Sequence, residues 1–404
     1  MNSLDTGIAK ARELGCPEEI LNVIRSFVEM LSYELGKKGV GVLLVGSASR
    51  GELSWEILND EFHVFSDIEF LVAVEDKSSI NKNAIFDNVK SIEKEVNLGV
   101  FFHIDYTFIE WESLKYLDTK FFVFESKKCG IDFFDEKIVS RLPDVNKDNL
   151  YWKELNEVLV HRLTSMLHAI PGPEILKEMC MVEQQKLSLN IAKNTLDVTT
   201  WLHPYESNEL KAGHGNRLSS WQVDEFSQLK LSEYFTENDL LYMRQCLELR
   251  KKPSTSSNPL NMLHKTMHIY KKSIMYMMNM NKLDDETELE EFRVCVKLFD
   301  EYRFRQRVSQ AISITKNIQR LGYRNYIRNL FGNRRCIATN ICMELLYSLL
   351  DECNSGNGLD RVSRARDILS RVTLVATNES KSFEQAWTDV RDCFKQYQSI
   401  SRNY

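Results

Sequence analysis

The sequence predicts an α+β protein in which a mixed sheet with its helices comes first and a large all-helical region follows. Three observations carry this reading. Apolar runs at 40–45, 68–74 and 100–109 have the length and the β-branched and aromatic content of buried strands. Beyond Pro143 strand signals nearly vanish, and apolar residues recur at helical spacing. Only seven prolines and sixteen glycines interrupt the 404 residues, so long helices meet few breakers.

In chain order, Pro17 to Lys38 places Ile20, Leu21, Ile24, Phe27, Val28, Leu31 and Leu35 on one face. This is an amphipathic helix with Pro17 in its first turn, ended by Gly39 and Gly41. Strand 42–45 follows, then a Gly46-Ser47 turn. Residues 51–66, with Trp55, Phe62 and Phe65, are longer than a tight connection needs and should add a hairpin or a short helix. Strand 67–74 comes next, then a polar stretch at 75–83, a helix at 84–96 and a third strand at 100–109. A mixed sheet with helices on at least one face is the simplest packing. Further helices are expected at 150–170, stopped by Pro-Gly-Pro at 171–173, and at 174–202 and 221–250, with a polar loop at 203–220 between them. KKPSTSSNPL at 251–260 is the best linker. Helices at 261–280, 286–321, 336–352, 359–375 and 381–399 complete the chain, which holds no internal repeat. The blocks expected are 1–145, 146–255 and 256–404.

Composition sets limits. A hydrophobic fraction of 43% and a charged fraction of 27% are ordinary for a globular protein. A net charge of −6 gives no global field for nucleic acid, so such a role would need a local patch. Nine cysteines without a CxxC pair suggest reduced thiols in a cytoplasmic protein. No apolar run is long enough to span a bilayer. The opening MNSLDTGIAKARELG carries acids and lacks the apolar segment of a signal peptide.

The chemistry concentrates between Gly46 and Glu69. Asp67 and Glu69 stand two apart, so a strand would point both to one face, with Ile68 and Phe70 on the other. Two acids side by side repel, and a hard divalent cation such as Mg²⁺ relieves the repulsion. On the third strand His103, Asp105 and Thr107 share a face, opposite Phe102, Ile104, Tyr106 and Phe108.

An apolar strand, Gly46-Ser47, a spacer and then Asp67-apolar-Glu69-apolar resembles the nucleotidyltransferase superfamily that includes DNA polymerase β. GSASRGE and SDIEFLV are similar to its bacterial small-substrate branch, such as aminoglycoside nucleotidyltransferases. FFHIDYTFI places Asp105 where the family carries its third carboxylate, and VFESKKCGIDFFDE at 123–136 resembles the segment after that strand. The likeness covers about residues 40–140 well and 150–250 loosely, and does not reach 260–404. It departs from the family in a nineteen-residue spacer between Ser47 and Asp67, and in Glu69, where Asp is common.

The resemblance implies a nucleotidyltransferase core that moves a nucleoside monophosphate from an NTP to a hydroxyl. The expected acceptor is a small molecule, and pyrophosphate is released. It implies two Mg²⁺ ions, with Mn²⁺ as a substitute, held by Asp67, Glu69 and Asp105 as metal ligands and catalytic groups. It places the triphosphate against the backbone of Gly46 and Ser47 at a helix N-terminus, with Arg50 as a phosphate contact or a solvent-facing side chain. It also implies a triphosphate-binding lysine on a later helix, Lys186 or Lys193. Transfer to RNA, protein or another nucleotide is the alternative, as is a catalytically silent binding or regulatory protein on the same fold.

Other features keep two readings. His103 is a ligand near the acids or a hydrogen-bonded structural histidine. The loop with Tyr205, His214 and Arg217 borders an acceptor pocket or is ordinary surface. The methionines of 262–280 are core filler or a partner surface. Residues 302–343 hold nine Lys or Arg and no acid, interleaved with aromatics, which suits RNA or an anionic ligand. Ion pairing with the acidic stretch 284–301 explains both charges without a ligand.

Overall fold

The computed structural model describes residues 3–58, 60–99, 102–150, 153–173, 178–253, 258–280, 334–370 and 382–402. The described chain is α+β, with a small mixed sheet and many helices. It sorts into two compact units that alternate along the sequence. One holds 1–154, 203–225 and 243–256, and the other holds 155–202, 226–242 and 257–404.

The first unit is built on a four-stranded sheet. Its strands are β1 (Gly39–Val45), β4 (Ile68–Val74), β5 (Ile104–Glu110) and β6 (Ile131–Asp132), in the order β5-β4-β1-β6. β1 runs antiparallel to β4 and β6, whereas β4 and β5 are parallel, so the sheet is mixed. A parallel pair needs a crossover, and α4 (Lys82–Val96) supplies it. Residues that alternate along the strands make one face apolar. Val42, Leu44, Ile68, Phe70, Val72 and Ile104 pack there with α1 (Ser3–Glu13), α2 (Glu18–Leu35) and α4.

All seven apolar residues expected on the α2 face are buried. Its boundaries differ from expectation. Pro17 is the residue before the helix, and Gly36, at φ +50, ends it. Gly39 and Gly41 lie instead in β1. A Cβ on Gly41 would stand 2.8 Å from Ile138 Cγ1, so close packing explains that glycine.

The long spacer forms a hairpin, β2 (Trp55–Leu58) and β3 (Glu61–Val64), with Trp55 stacked on Phe62 at 5.3 Å between centroids. The third strand begins later than the sequence suggested, at Ile104, and residues 100–101 lie outside the described residues. Its alternation holds: Phe102 and Ile104 are buried, while His103, Asp105 and Thr107 are exposed. α3 (Gly46–Ser49), α5 (Phe121–Cys129) and α6 (Ile138–Arg141) complete the sheet region.

The helical remainder departs from expectation at several ends. α7 is Lys153–Ala169 and α8 is Met181–Glu206, which runs through Pro204 into the expected loop. Within that loop His214–Ser219 forms α9, and His214 and Arg217 are buried, so the segment is not ordinary surface. The expected helix 221–250 divides into two short 3₁₀ turns, at Val223–Gln228 and Lys230–Glu233, followed by α10 (Glu237–Lys251).

The second unit also contains α11 (Pro259–Met280), α12 (Arg334–Ser355), α13 (Gly358–Ser370) and α14 (Phe383–Arg402). Its core includes Trp201 edge-on to Tyr270 at 5.0 Å, and Trp387, whose indole N–H donates to Leu345 O at 3.0 Å. Met262, Met267 and Met277 are buried, as core filler should be, while Met275 is exposed. The helix expected at 286–321 lies outside the described residues, as does residues 302–333 of the basic stretch and part of the 251–260 linker. Among the described residues no disulfide forms, and no helix is long and apolar enough to cross a membrane.

Candidate active site

Glu69 and Asp105 are neighbours across the parallel β4–β5 pair. Neighbouring strands lie about 4.8 Å apart, and register partners project to the same face. The two carboxylates therefore stand side by side, away from the helix-packed face. Asp67 sits one residue ahead of β4, half-buried, where the Ile68 N–H donates to His103 O at 3.0 Å. The sequence placed Asp67 inside the strand; the ladder starts just after it.

Gly46 explains how the glycine-serine turn meets the acids. Val45 pairs with Glu69 across the antiparallel β1–β4 ladder, so Gly46 emerges beside Glu69. Gly46 has φ +73, and a Cβ there would lie 1.8 Å from Glu69 Oε2. Only glycine admits this backbone and leaves room for the carboxylate. The turn is one helical turn, Gly46–Ser49, shorter than the helix N-terminus the resemblance implied. The Ser47 carbonyl accepts from the N–H groups of Arg50 and Glu52 at 3.2 and 2.9 Å, which fixes the exit of the turn.

These elements border an open cleft of about 330 Å³, whose walls include Val45, Glu69, Leu71, Asp105, Thr107 and Phe122. Leu71 and Val45 give it an apolar floor beside the acids, and Phe122 on α5 is exposed.

Arg50 does not face solvent. Its Nε meets Glu52 Oε2 at 3.0 Å and its Nη1 meets Glu125 Oε2 at 3.1 Å. Glu125 Oε1 also accepts from Arg217 Nη1 at 2.9 Å and from the Gly213 N–H at 3.0 Å. Glu52 Oε1 accepts from the N–H groups of His214 and Gly215, and Arg250 Nη2 donates to the Glu52 carbonyl at 3.1 Å. Burial pushes the Glu125 carboxyl upward, but Arg50 and Arg217 overcome it and hold it at about 2. Burial likewise opposes ionisation of Glu52, and Arg50, Arg250 and Arg217 outweigh it and lower that group. Burial disfavours the Arg50 cation, and Glu125, Glu52 and Glu69 more than restore it. Arg50 thus links the buried network electrostatically to the acid at the cleft.

Sequence reasoning gave no role to Glu52, Glu125 or Arg250. Glu52 stood in the GSASRGE motif and Glu125 in VFESKKC, but pairing between distant segments leaves no periodic signal. Arg217 was noticed as a loop residue rather than as a partner of Glu125.

Lys186 is exposed and Lys193 half-buried on α8, and both belong to the second unit, whereas the acids belong to the first. Nearby in the first unit, His203 is fully buried with Nε2 3.1 Å from Ser220 Oγ. Burial, with help from Arg217, Lys211 and Lys147, depresses its imidazolium to about 4.

A divalent cation asks for hard oxygen donors, and the candidate set is wholly carboxylate. The glycine cradle that accommodates Glu69 also fits a site that gathers oxygens at one spot. Among the described residues no three His, Cys, Asp or Glu side chains are gathered closely enough to hold an ion; Glu69 and Asp105 line the cleft as register partners, and Asp67 stands one residue ahead of their ladder. Compared with protein-family models, curated proteins and solved structures, the chain matches none.

Proposed function

We propose that the chain is a Mg²⁺-dependent nucleotidyltransferase that moves a nucleoside monophosphate from an NTP to a hydroxyl of a small molecule. The observation that carries this reading is the pairing of Glu69 with Asp105 on adjacent parallel strands, beside a glycine turn and an open cleft. Asp67, Glu69 and Asp105 would hold the metal, which when bound supplies charge neutralisation on the phosphates.

The acceptor hydroxyl oxygen forms a bond to the α-phosphorus of the NTP, and the bond from that phosphorus to the bridging oxygen breaks, releasing pyrophosphate. Asp105, exposed at the cleft wall, accepts the hydroxyl proton. Gly46 and Ser47 present backbone N–H groups to the phosphates. Arg50 holds the exit of that turn through Glu52 and Glu125 and adds positive potential near Glu69. A cleft with an apolar floor beside two acids suits an acceptor with both ring and hydroxyl groups.

The test is direct. Purified protein is incubated with each of the four labelled NTPs, Mg²⁺ and a panel of hydroxyl compounds, and pyrophosphate release is followed. Release that requires both Mg²⁺ and an acceptor, and disappears in Glu69→Gln, supports the reading. Incorporation into RNA or protein alone moves the acceptor class. Absence of any Mg²⁺- or Mn²⁺-dependent thermal shift with all four NTPs points to a silent binding protein and overturns it.

A further inference from the structure

The second unit carries a polar groove of about 230 Å³ where three helices converge. His264, His268 and Lys271 line one wall, and their spacing of four and three places them on one face of α11. All three are exposed. Asn340 and Glu344 of α12 form a buried polar floor. Arg361 of α13 closes the third side. Polar groups from three helices converging on one depression in a helical unit mark a ligand site more than a packing fault.

The charge of this groove selects the ligand. Its single carboxylate, Glu344, is taken up by Arg361 at 3.4 Å and by Arg364 at 3.3 Å. Arg361 is fixed further by Asp351 and lies over the Tyr347 ring at 5.1 Å. Lys271 lines the same groove as this anchored guanidinium, and two imidazoles add N–H donors. A His pair four residues apart with a glutamate opposite is also a metal-ligand spacing. Among the described residues, however, no three such side chains are gathered closely enough for an ion, and Lys271 and Arg361 would repel one. Glu344 and Asp351 offset Arg361 and Arg364, so Lys271 leaves one positive charge in excess, which an anionic group with several oxygens matches while both imidazoles donate to it. The volume lies below the roughly 300–1,000 Å³ of pockets for drug-sized ligands, which favours a compact molecule over a polymer.

We propose that this groove is a second ligand site, separate from the Glu69–Asp105 cleft, and that it binds a small phosphomonoester between Lys271 and Arg361. The site stands whether or not the chain transfers nucleotides.

The test uses the full chain labelled with ¹³C-histidine, in EDTA so that no divalent metal takes part, and titrates glycerol 3-phosphate with glycerol as control. His264→Gln and His268→Gln assign the two ring signals. The expected result is saturable movement of both signals with the phosphate ester and none with glycerol. Lys271→Glu, an exposed change, should weaken binding at least tenfold, and Glu69→Gln should leave it unchanged. Should Lys271→Glu alter the circular dichroism, Lys271→Gln serves in its place. Unmoved histidine signals, or full affinity in the lysine variants, would overturn the site. An RNA dodecamer that binds more tightly than the ester and displaces it would overturn the small-molecule assignment.

Discussion

Two groups of charge in the first unit use the same residue types in opposite ways. In the Arg50, Glu52, Glu125, Arg217 and Arg250 network, signs alternate, the groups are buried and each carboxylate meets guanidinium or backbone N–H donors. At the cleft, Glu69 and Asp105 put like charges on adjacent strands, and Asp105 is exposed. The first arrangement holds segments of chain together. The second puts two acids side by side at an open cleft, the arrangement that the proposed cation would ease. On the proposed function, burial and sign order separate structural charge from chemical charge better than residue identity does.

The strongest way to sharpen that contrast is Asp105→Asn. If the proposed chemistry holds, nucleotide transfer should fall by roughly 10²–10⁴-fold, the usual contribution of a positioned base. Stability should change little, because Asp105 is exposed. Initial rates and urea unfolding on the same preparation read both. Glu125→Gln should do the reverse and strike stability first. It leaves Arg50 and Arg217 buried without their shared carboxylate, which costs about 3–5 kcal/mol in comparable buried pairs. A denaturation midpoint close to wild type would show that the network is not structural.

Gly46→Ala probes the place where the two groups approach each other. A strained backbone of this kind costs on the order of 1–3 kcal/mol. The added carbon also lies 1.8 Å from Glu69 Oε2, so the carboxylate must move and transfer should fall with stability. Retention of both would contradict the close approach.

A further effect is in pH. The folded His203 titrates at about 4 instead of the ordinary 6.5. Between those values the unfolded chain binds the proton and the folded chain does not. Its contribution is therefore present above pH 6.5 and is lost as pH falls toward 4. Glu125, at about 2 against 4.5, adds a second loss below pH 4.5 with the same sign. Urea midpoints from pH 7 to 4 should decline, and His203→Gln should flatten the upper part of that decline.

Much of the sheet was legible because burial writes period-two patterns. Ile68 and Phe70 face the core and Glu69 faces away, and Phe102 and Ile104 alternate with Asp105. Helix faces were equally plain, as the buried row from Ile20 to Leu35 shows. What the pattern could not carry was register between strands. That Glu69 lies opposite Asp105 depends on how two runs align in space, and either run alone is compatible with several alignments. Gly39 and Gly41 were misread as helix stops because glycine marks both a chain reversal and a close contact. Glu52, Glu125 and Arg250 escaped because each is an unremarkable charge until the fold brings it to its partner.

The first unit is assembled from pieces that are far apart in the chain, since Arg217 and Arg250 belong with residues 1–154. A ribosome that has produced only the first 154 residues has delivered Glu52 and Glu125 but only one of the three guanidiniums that hold them. The nascent sheet would therefore carry its acids without Arg217 until residue 217 emerges, and without Arg250 until residue 250 does. Truncation after the last strand should yield a fragment that aggregates rather than a minimal domain, and any expressed version of the first unit has to extend through 256.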